Sequence, residues 1–250
     1  MTLAFGSGSL YGRRTDLPNS PPIKFGTLQE ISVGISGTSK ELYGQGQFAA
    51  AVARGTAKID CKAKAAKIDA RLFADLFFGT SVTTGGMTLV EGEMALVPAS
   101  GAYTVSVAQA SAFIQDLGVT NAATGAALLQ VASTPAAGQY TVAAGVYTFA
   151  AADAGMAILI DYKATTTGGS SFIISNQAQG VQPVFSVLMK TSYTPPGGAA
   201  VQTLLELYAC TSSKLQLATK SSDWLIPELD FSAQVNAAGL VGQFSMGGTA

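Results

Sequence analysis

The stretch Arg54-Gly-Thr-Ala-Lys-Ile-Asp-Cys-Lys-Ala-Lys-Ala65 decides the fold class. Its even positions are Arg54, Thr56, Lys58, Asp60, Lys62 and Lys64; its odd positions are Gly55, Ala57, Ile59, Cys61, Ala63 and Ala65. Strict alternation is the signature of a β-strand, whose successive side chains point to opposite faces. One face of this strand is charged. The other is small and apolar, which suits close packing against another layer.

Working outward, Leu28–Leu42 alternates in the same way. Ile31, Val33 and Ile35 face one side, and Glu30, Ser32 and Ser36 the other. Between these two strands lies the glycine-punctuated tip Leu42-Tyr43-Gly44-Gln45-Gly46-Gln47, so the pair reads as a long hairpin. Downstream the period changes. Ile68, Leu72 and Leu76 lie four apart, Asp69 is a candidate N-cap and Gly79 a candidate stop, which predicts a helix over Asp69–Phe78. It is expected to be the only substantial helix, packed on a sheet.

Thr80–Tyr162 has a different composition. It contains no Lys or Arg, against five acids: Glu91, Glu93, Asp116, Asp153 and Asp161. Short strand-like units recur at Ala102-Tyr-Thr-Val, Gln139-Tyr-Thr-Val and Val146-Tyr-Thr-Phe. Frequent turns between short strands predict a small β-sandwich inserted at 85–167. The main β domain then spans 23–84 and 168–250. Its later strands are expected at Val184–Tyr193, Val201–Cys210, Lys214–Lys220, Leu225–Val235 and Leu240–Met246, with Pro227 marking an edge or bulge. Residues 1–22, rich in Gly, Ser and Pro, are expected to form an extended arm able to dock on a neighbour.

Composition narrows function. The 250 residues contain no histidine, which removes the commonest general base and most zinc and haem sites. No cofactor or metal site is expected, and no catalytic residue. Charged residues make up 12% of the chain, against ~25% in typical domains. Mean hydropathy is +0.34. Such a surface tends to self-associate. The net charge of −1 supplies no basic field for nucleic acid. No signal peptide or membrane-spanning run is read. Cys61 and Cys210 are expected to be small strand residues, with a disulfide left open.

Three candidate chemistries deserve weighing. Gly6-Ser-Gly-Ser-Leu-Tyr-Gly12 lacks phosphate-loop spacing. Glu91 with Glu93, or Glu228 with Asp230 near Trp224, would suit glycoside cleavage, but alternating acids on a strand are more often its solvated face. Arg54, Lys58, Asp60, Lys62 and Lys64 are either such a face or a strip facing a channel or a neighbouring ring. A strongly basic channel wall would bind DNA and slow it, so acids are expected beside these lysines.

Several segments together resemble one family. They are Phe25-Gly-Thr-Leu-Gln-Glu-Ile, Lys40-Glu-Leu-Tyr-Gly-Gln, Ala53-Arg-Gly-Thr-Ala-Lys-Ile and Arg71-Leu-Phe-Ala-Asp-Leu-Phe-Phe-Gly. Lys214-Leu-Gln-Leu, Asp223-Trp-Leu-Ile-Pro-Glu-Leu-Asp-Phe-Ser-Ala, Gly239-Leu-Val-Gly-Gln-Phe-Ser-Met and Gly145-Val-Tyr-Thr-Phe-Ala-Ala-Ala-Asp-Ala-Gly complete the set. The chain resembles the major tail tube proteins of tailed bacteriophages. The resemblance implies an all-β sandwich or barrel with one flanking α-helix, in six-subunit rings that stack into a tube through which DNA is ejected. It implies a non-enzymatic virion protein of the tail, assembled in the host cytoplasm. Its partners would be itself, sheath, tape-measure and baseplate proteins, and DNA in transit, with no membrane. The two long strands become candidates for the lumen wall, and Leu42, Tyr43, Gly44, Gln45 and Gly46 for an inter-subunit loop. A baseplate, tail-completion or capsid-decoration protein is the alternative, and a carbohydrate-binding or glycoside-cleaving β protein a more distant one.

Overall fold

The computed structural model describes residues 5–67, 69–219 and 221–249. The chain is all-β with a single short helix, and it divides into two units. Unit 1 is Met1–Val82 with Phe172–Ala250; unit 2 is Thr83–Ser171.

Unit 1 opens with β1 (Phe5–Arg14), β2 (Ile23–Lys24), β3 (Leu28–Tyr43) and β4 (Ala49–Ala65). The next seven strands belong to unit 2. The chain returns through β12 (Phe185–Tyr193), β13 (Val201–Gln216), β14 (Glu228–Ala233) and β15 (Gly242–Thr249). These eight strands form one sheet in the order β2-β1-β12-β13-β14-β4-β3, with β15 also on β13. The alternating odd face of β4 puts Cys61 and Ala63 into the core with Leu10, Phe25, Leu28, Phe185, Val187, Leu207, Leu229 and Phe231. The sheet curls until β1 and β3 face one another across a gap of about 480 Å³ lined by Gly6, Ile31, Val33, Met189 and Thr191.

Several expectations change here. The N-terminal segment is not a free arm, since β1 pairs antiparallel with β12 from Arg14↔Phe185 to Phe5↔Ser192. Backbone pairing needs no apolar alternation, and glycine permits the close approach: a Cβ on Gly8 would lie 2.0 Å from the Lys190 carbonyl oxygen. Residues 1–4 lie outside the described residues. The helix is also shorter than its spacing predicts. Asp69 caps it, its Oδ1 accepting from the Arg71 amide at 2.9 Å, but α1 covers only Ala70–Phe73. Ala74–Phe78 winds as a π-turn that ends at Gly79, φ 65°. A segment this short has little helical stability of its own. Burying Leu72, Phe73, Ala74 and Leu76 together favours a wider turn over a regular 3.6-residue stripe. Ile68, part of the same spacing, lies outside the described residues.

Val201–Cys210 and the start of Lys214–Lys220 are one strand, β13; Lys220 lies outside the described residues. The Leu225–Val235 strand begins only after Pro227, whose carbonyl accepts from the Ala65 amide at 3.3 Å. Cys61 and Cys210 are both free and buried. They sit on β4 and β13 with β14 between them. Cys210 stands opposite Ala233 and Cys61 opposite Phe231, so two inter-strand spacings and a two-residue offset put their Cα atoms more than about 9 Å apart, beyond disulfide reach.

Unit 2 contains β5 (Thr83–Leu96), β6 (Thr104–Ser106), β7 (Phe113–Asn121), β8 (Leu129–Gln130), β9 (Gln139–Ala143), β10 (Val146–Phe149) and β11 (Ala157–Ser171). One sheet runs β5-β11-β7 and the other β6-β10-β9-β8. Between them lie Val97, Val119, Tyr140, Tyr147, Phe149, Ile158, Ile160 and Tyr162. The unit is wider than 85–167 because β5 and β11 go on pairing to Thr83↔Ser171. Four of its five acids, Glu91 apart, accept hydrogen bonds from within the unit. Asp116 takes hydrogen bonds from the Tyr140 and Tyr147 hydroxyls at 2.5 and 2.8 Å, and Glu93 takes one from the Tyr162 hydroxyl at 2.6 Å. Asp153 accepts from the Gly138 amide and Asp161 from the Gly92 amide.

Candidate assembly surface

The even face of β4 is the solvent-side face of a sheet whose neighbours supply acids. Register sets Glu30 and Glu228 opposite Lys64, Asp230 opposite Lys62, and Ser232 opposite Asp60. Lys64 Nζ lies 2.6 Å from Glu30 Oε2, and Lys58 Nζ 2.9 Å from Asp60 Oδ2. Lys62 Nζ lies 3.0 Å from Glu228 Oε1 and 4.0 Å from Asp230 Oδ1, and Lys214 lies 3.4 Å from the same Glu228 oxygen. The Ser232 hydroxyl donates to Asp60 at 2.7 Å. Four lysines thus meet four carboxylates, and the face is neutral. The lattice holds Glu228 below the usual carboxylate range, chiefly through Lys62, and Asp60 likewise through Lys58 and then Ser232. Lys62 is raised, first by Glu228. Between these rows lies an open depression of about 560 Å³, lined by Ser32, Lys58, Asp60, Lys62, Asp230 and Ser232.

Arg54 does not belong to this face. Pairing between β3 and β4 runs Gly37↔Ala57 and then Ser39↔Arg54, so β4 carries an extra residue at Gly55. A bulge of this kind exchanges the faces beyond it. Arg54 consequently lies against Gly37 on the other side of the sheet, where a Cβ on Gly37 would stand 3.2 Å from its Nε. Gly55 is required by the same crowding, since its Cβ would lie 2.5 Å from Thr38 Oγ1.

Past the bulge, β3 and β4 leave the sheet as a two-stranded ribbon. β14 pairs with β4 only from Ile59 to Lys64. The ribbon tip carries Leu42, Tyr43, Gly44, Gln45 and Gly46, all exposed, with Phe48 88% exposed. Leu42 and Val52 are 65% and 64% exposed. Tyr43 donates from its hydroxyl to Glu41.

The fork beside this ribbon was not legible in the sequence. β14 and β15 both lie along the same edge of β13, joined by the turn at Asn236–Leu240. β4 follows β14 but parts from β15. Phe244 pairs with Leu205 and Ile35 with Ile59, whose side chains pack on the core, so all four belong to the core side. Yet Phe244, Met246 and Ile35 are 55–67% exposed. Leu240–Met246 was legible as a strand; its uncovered face depends on where β4 diverges, which no local pattern records.

Glu228 and Asp230 are spent on lysines, Glu93 on Tyr162, and Trp224 stands exposed on a loop. Among the described residues, no group of His, Cys, Asp and Glu is arranged to hold a metal ion, and no helix is long and apolar enough to cross a membrane. No protein-family model matches the sequence, and no curated protein matches it.

Proposed function

We propose that the protein is a structural subunit of a bacteriophage tail tube, assembling as stacked, six-membered rings that form the conduit for DNA ejection. The observation that carries the reading is the β3–β4 ribbon. A two-stranded ribbon with both faces in water is marginal by itself, and this one leaves Leu42, Phe48 and Val52 largely exposed. Copies of the same chain would cover it and remove its free edges. The neutral lattice of β4 fits a wall past which DNA moves, because polyanion affinity comes from unpaired cations and here every lysine of the strip meets a carboxylate. Sheath, tape-measure and baseplate proteins would be its partners in the tail, and the virion its location. Unit 2 is an addition to the tube-forming unit.

Electron microscopy of the purified protein tests this directly. Rings or tubes with a central channel are expected. A strictly monomeric species at high concentration, even with tail-assembly partners present, would sink the proposal. A baseplate, tail-completion or capsid-decoration role would appear as a different symmetry and position in the particle.

A further inference from the structure

Unit 2 carries six charged side chains, and four of them, Glu93, Asp116, Asp153 and Asp161, have partners inside the unit. The two left over are Glu91 and Lys163, whose side chains have no partner among the described residues. Both lie on the outer face of the β5-β11-β7 sheet. Lys163 stands between the buried Tyr162 and Ala164, so it points away from the core. Glu91 is exposed and follows the inward Val90, at a bulge where Glu91 and Gly92 together oppose Asp161. Along β5 the rest of this face is apolar: Met87, Leu89, Met94 and Leu96 are 54–73% exposed. A contiguous apolar row of this kind marks a contact site.

We infer that this face docks on the same face of a second copy, the two sheets packed about a two-fold axis that runs along the strands between β5 and β11. That axis exchanges the two strands, so each β5 residue meets its own register partner on β11 of the other copy. Met94 then faces Leu159, Leu96 faces Ala157 and Met87 faces Thr165. Lys163 lays its stem over Leu89 and brings its ammonium toward Glu91 of the other copy, and the symmetry makes this contact twice. These two charges favour a like partner. A neutral face with one acid and one base complements itself, whereas a basic or an acidic partner would leave one of them unpaired. The flexible thioethers of Met87 and Met94 help the two faces interdigitate. Edge-to-edge pairing is the poorer geometry. The free edge of β5 is broken by the bulge and by Gly85 and Gly92, at φ 92° and 64°. From Met87 to Leu96 the face is about 30 Å long and about 14 Å wide over three strands. Two copies would bury on the order of 1,000 Å², at the low end for specific interfaces, so the dimer is weak and reversible. The contact stands on unit 2 alone and needs no tube. Rings stacked head to tail place no two copies about such an axis, so the contact joins free subunits or separate tubes, not neighbours within one tube.

The experiment uses two full-length chains, Met94→Cys and Leu159→Cys, in which both native thiols stay buried. Circular dichroism verifies that both fold. Mixed in equal amounts under mild oxidation, they are expected to give a cross-linked dimer of unlike chains, joined from position 94 to position 159. Each chain alone should give little, because the axis sets position 94 opposite 159 and not opposite itself. Glu91→Lys in both chains puts like charges together twice and should cut the yield about tenfold or more. Adding Lys163→Glu to the same chains exchanges the two charges and should restore it. The inference is overturned by any of four results: no unlike dimer, equal yield from like chains, a yield untouched by Glu91→Lys, or no recovery with the exchange. Microscopy keeps the two proposals apart. Tubes from a Glu91→Lys chain that no longer cross-links support a contact separate from the tube, and tubes lost together with the cross-link would overturn the two-fold arrangement. Unlike dimers in a protein that forms no rings or tubes would remove the tube and leave the contact.

Discussion

Lys62 and Glu228 meet at 3.0 Å across the β4–β14 ladder, and Lys214 closes on the same carboxylate from the other side at 3.4 Å. One glutamate on a short strand thereby neutralises lysines from two long ones. Individually, such exposed pairs stabilise little. Their effect is on what the surface attracts.

Removing the acids should turn this face into a nucleic-acid binder. Glu228→Gln/Asp230→Asn releases Lys62 and Lys214 and raises the net charge by two. Wild-type protein should bind duplex DNA weakly at 50 mM salt. The double variant should bind measurably more tightly, with a log–log salt slope steeper by roughly two. Fluorescence anisotropy across a salt series decides it, and an unchanged slope would show that the lattice does not screen the lysines.

Arg14 and Asp16 form a second, less exposed pair, with Nε–Oδ1 at 2.9 Å and Nη2–Oδ2 at 2.5 Å. The guanidinium holds Asp16 below its ordinary value of 3.8, mainly through that hydrogen bond. The sign follows from the depressed folded value. Stability from this pair is present above about pH 4 and is lost as pH falls through the lower folded value. Asp16→Asn should cost about 1–3 kcal/mol at pH 7, because Arg14 is buried and loses its partner. It should also flatten the fall in Tm below pH 4. Thermal melts of both proteins from pH 7 to 2.5 provide the comparison.

Asp116 anchors unit 2 through two phenols. Asp116→Ala should destabilise that unit by about 2–4 kcal/mol, since hydrogen bonds to a charged acceptor contribute about 1.5–3 kcal/mol each and are not additive. Tyr147→Phe should cost less. Burial and then Asp116 push both tyrosines upward, so absorbance at 295 nm should show them un-ionised at pH 11 for as long as the unit stays folded. Early ionisation of all tyrosines in the native protein would contradict the geometry.

Cys61 and Cys210 should be inert thiols. Burial pushes Cys61 up to about 11 and Cys210 up to about 12. A thiol reagent at pH 8 should label neither until denaturant is added, then both. Reducing agent should leave Tm unchanged, because no disulfide spans β14.

Thr83 and Ser171 are register partners, with hydroxyl oxygens 3.1 Å apart. Replacing Thr83–Ser171 by a short Gly-Ser turn should leave unit 1 folded, with one cooperative transition by calorimetry. Aggregation of the deletion protein at low concentration would mean that unit 1 needs its insert.

The strands were legible wherever period two was clean. Arg54–Ala65 gave both the strand and its faces from Lys58 onward, and Asp69 and Gly79 marked the ends of the helical segment. Arg54 was misplaced because alternation counts residues, whereas a bulge depends on how two strands pair; Gly55 was the sole local hint. Phe5–Arg14 was missed because its pairing is carried by the backbone and by glycines. The charges of the candidate surface were visible, and acids beside the lysines were expected; which acids was not legible, because Glu30, Glu228 and Asp230 arrive from strands away in sequence.

The extra residue at Gly55 has one more consequence. Deleting it would leave Arg54 opposite Ser39 and the side-chain faces beyond it as they are, and would remove only the bend and added twist that the bulge imposes. A one-codon event there could re-aim the tip while its chemistry, and the half of β4 that builds the core, stayed the same.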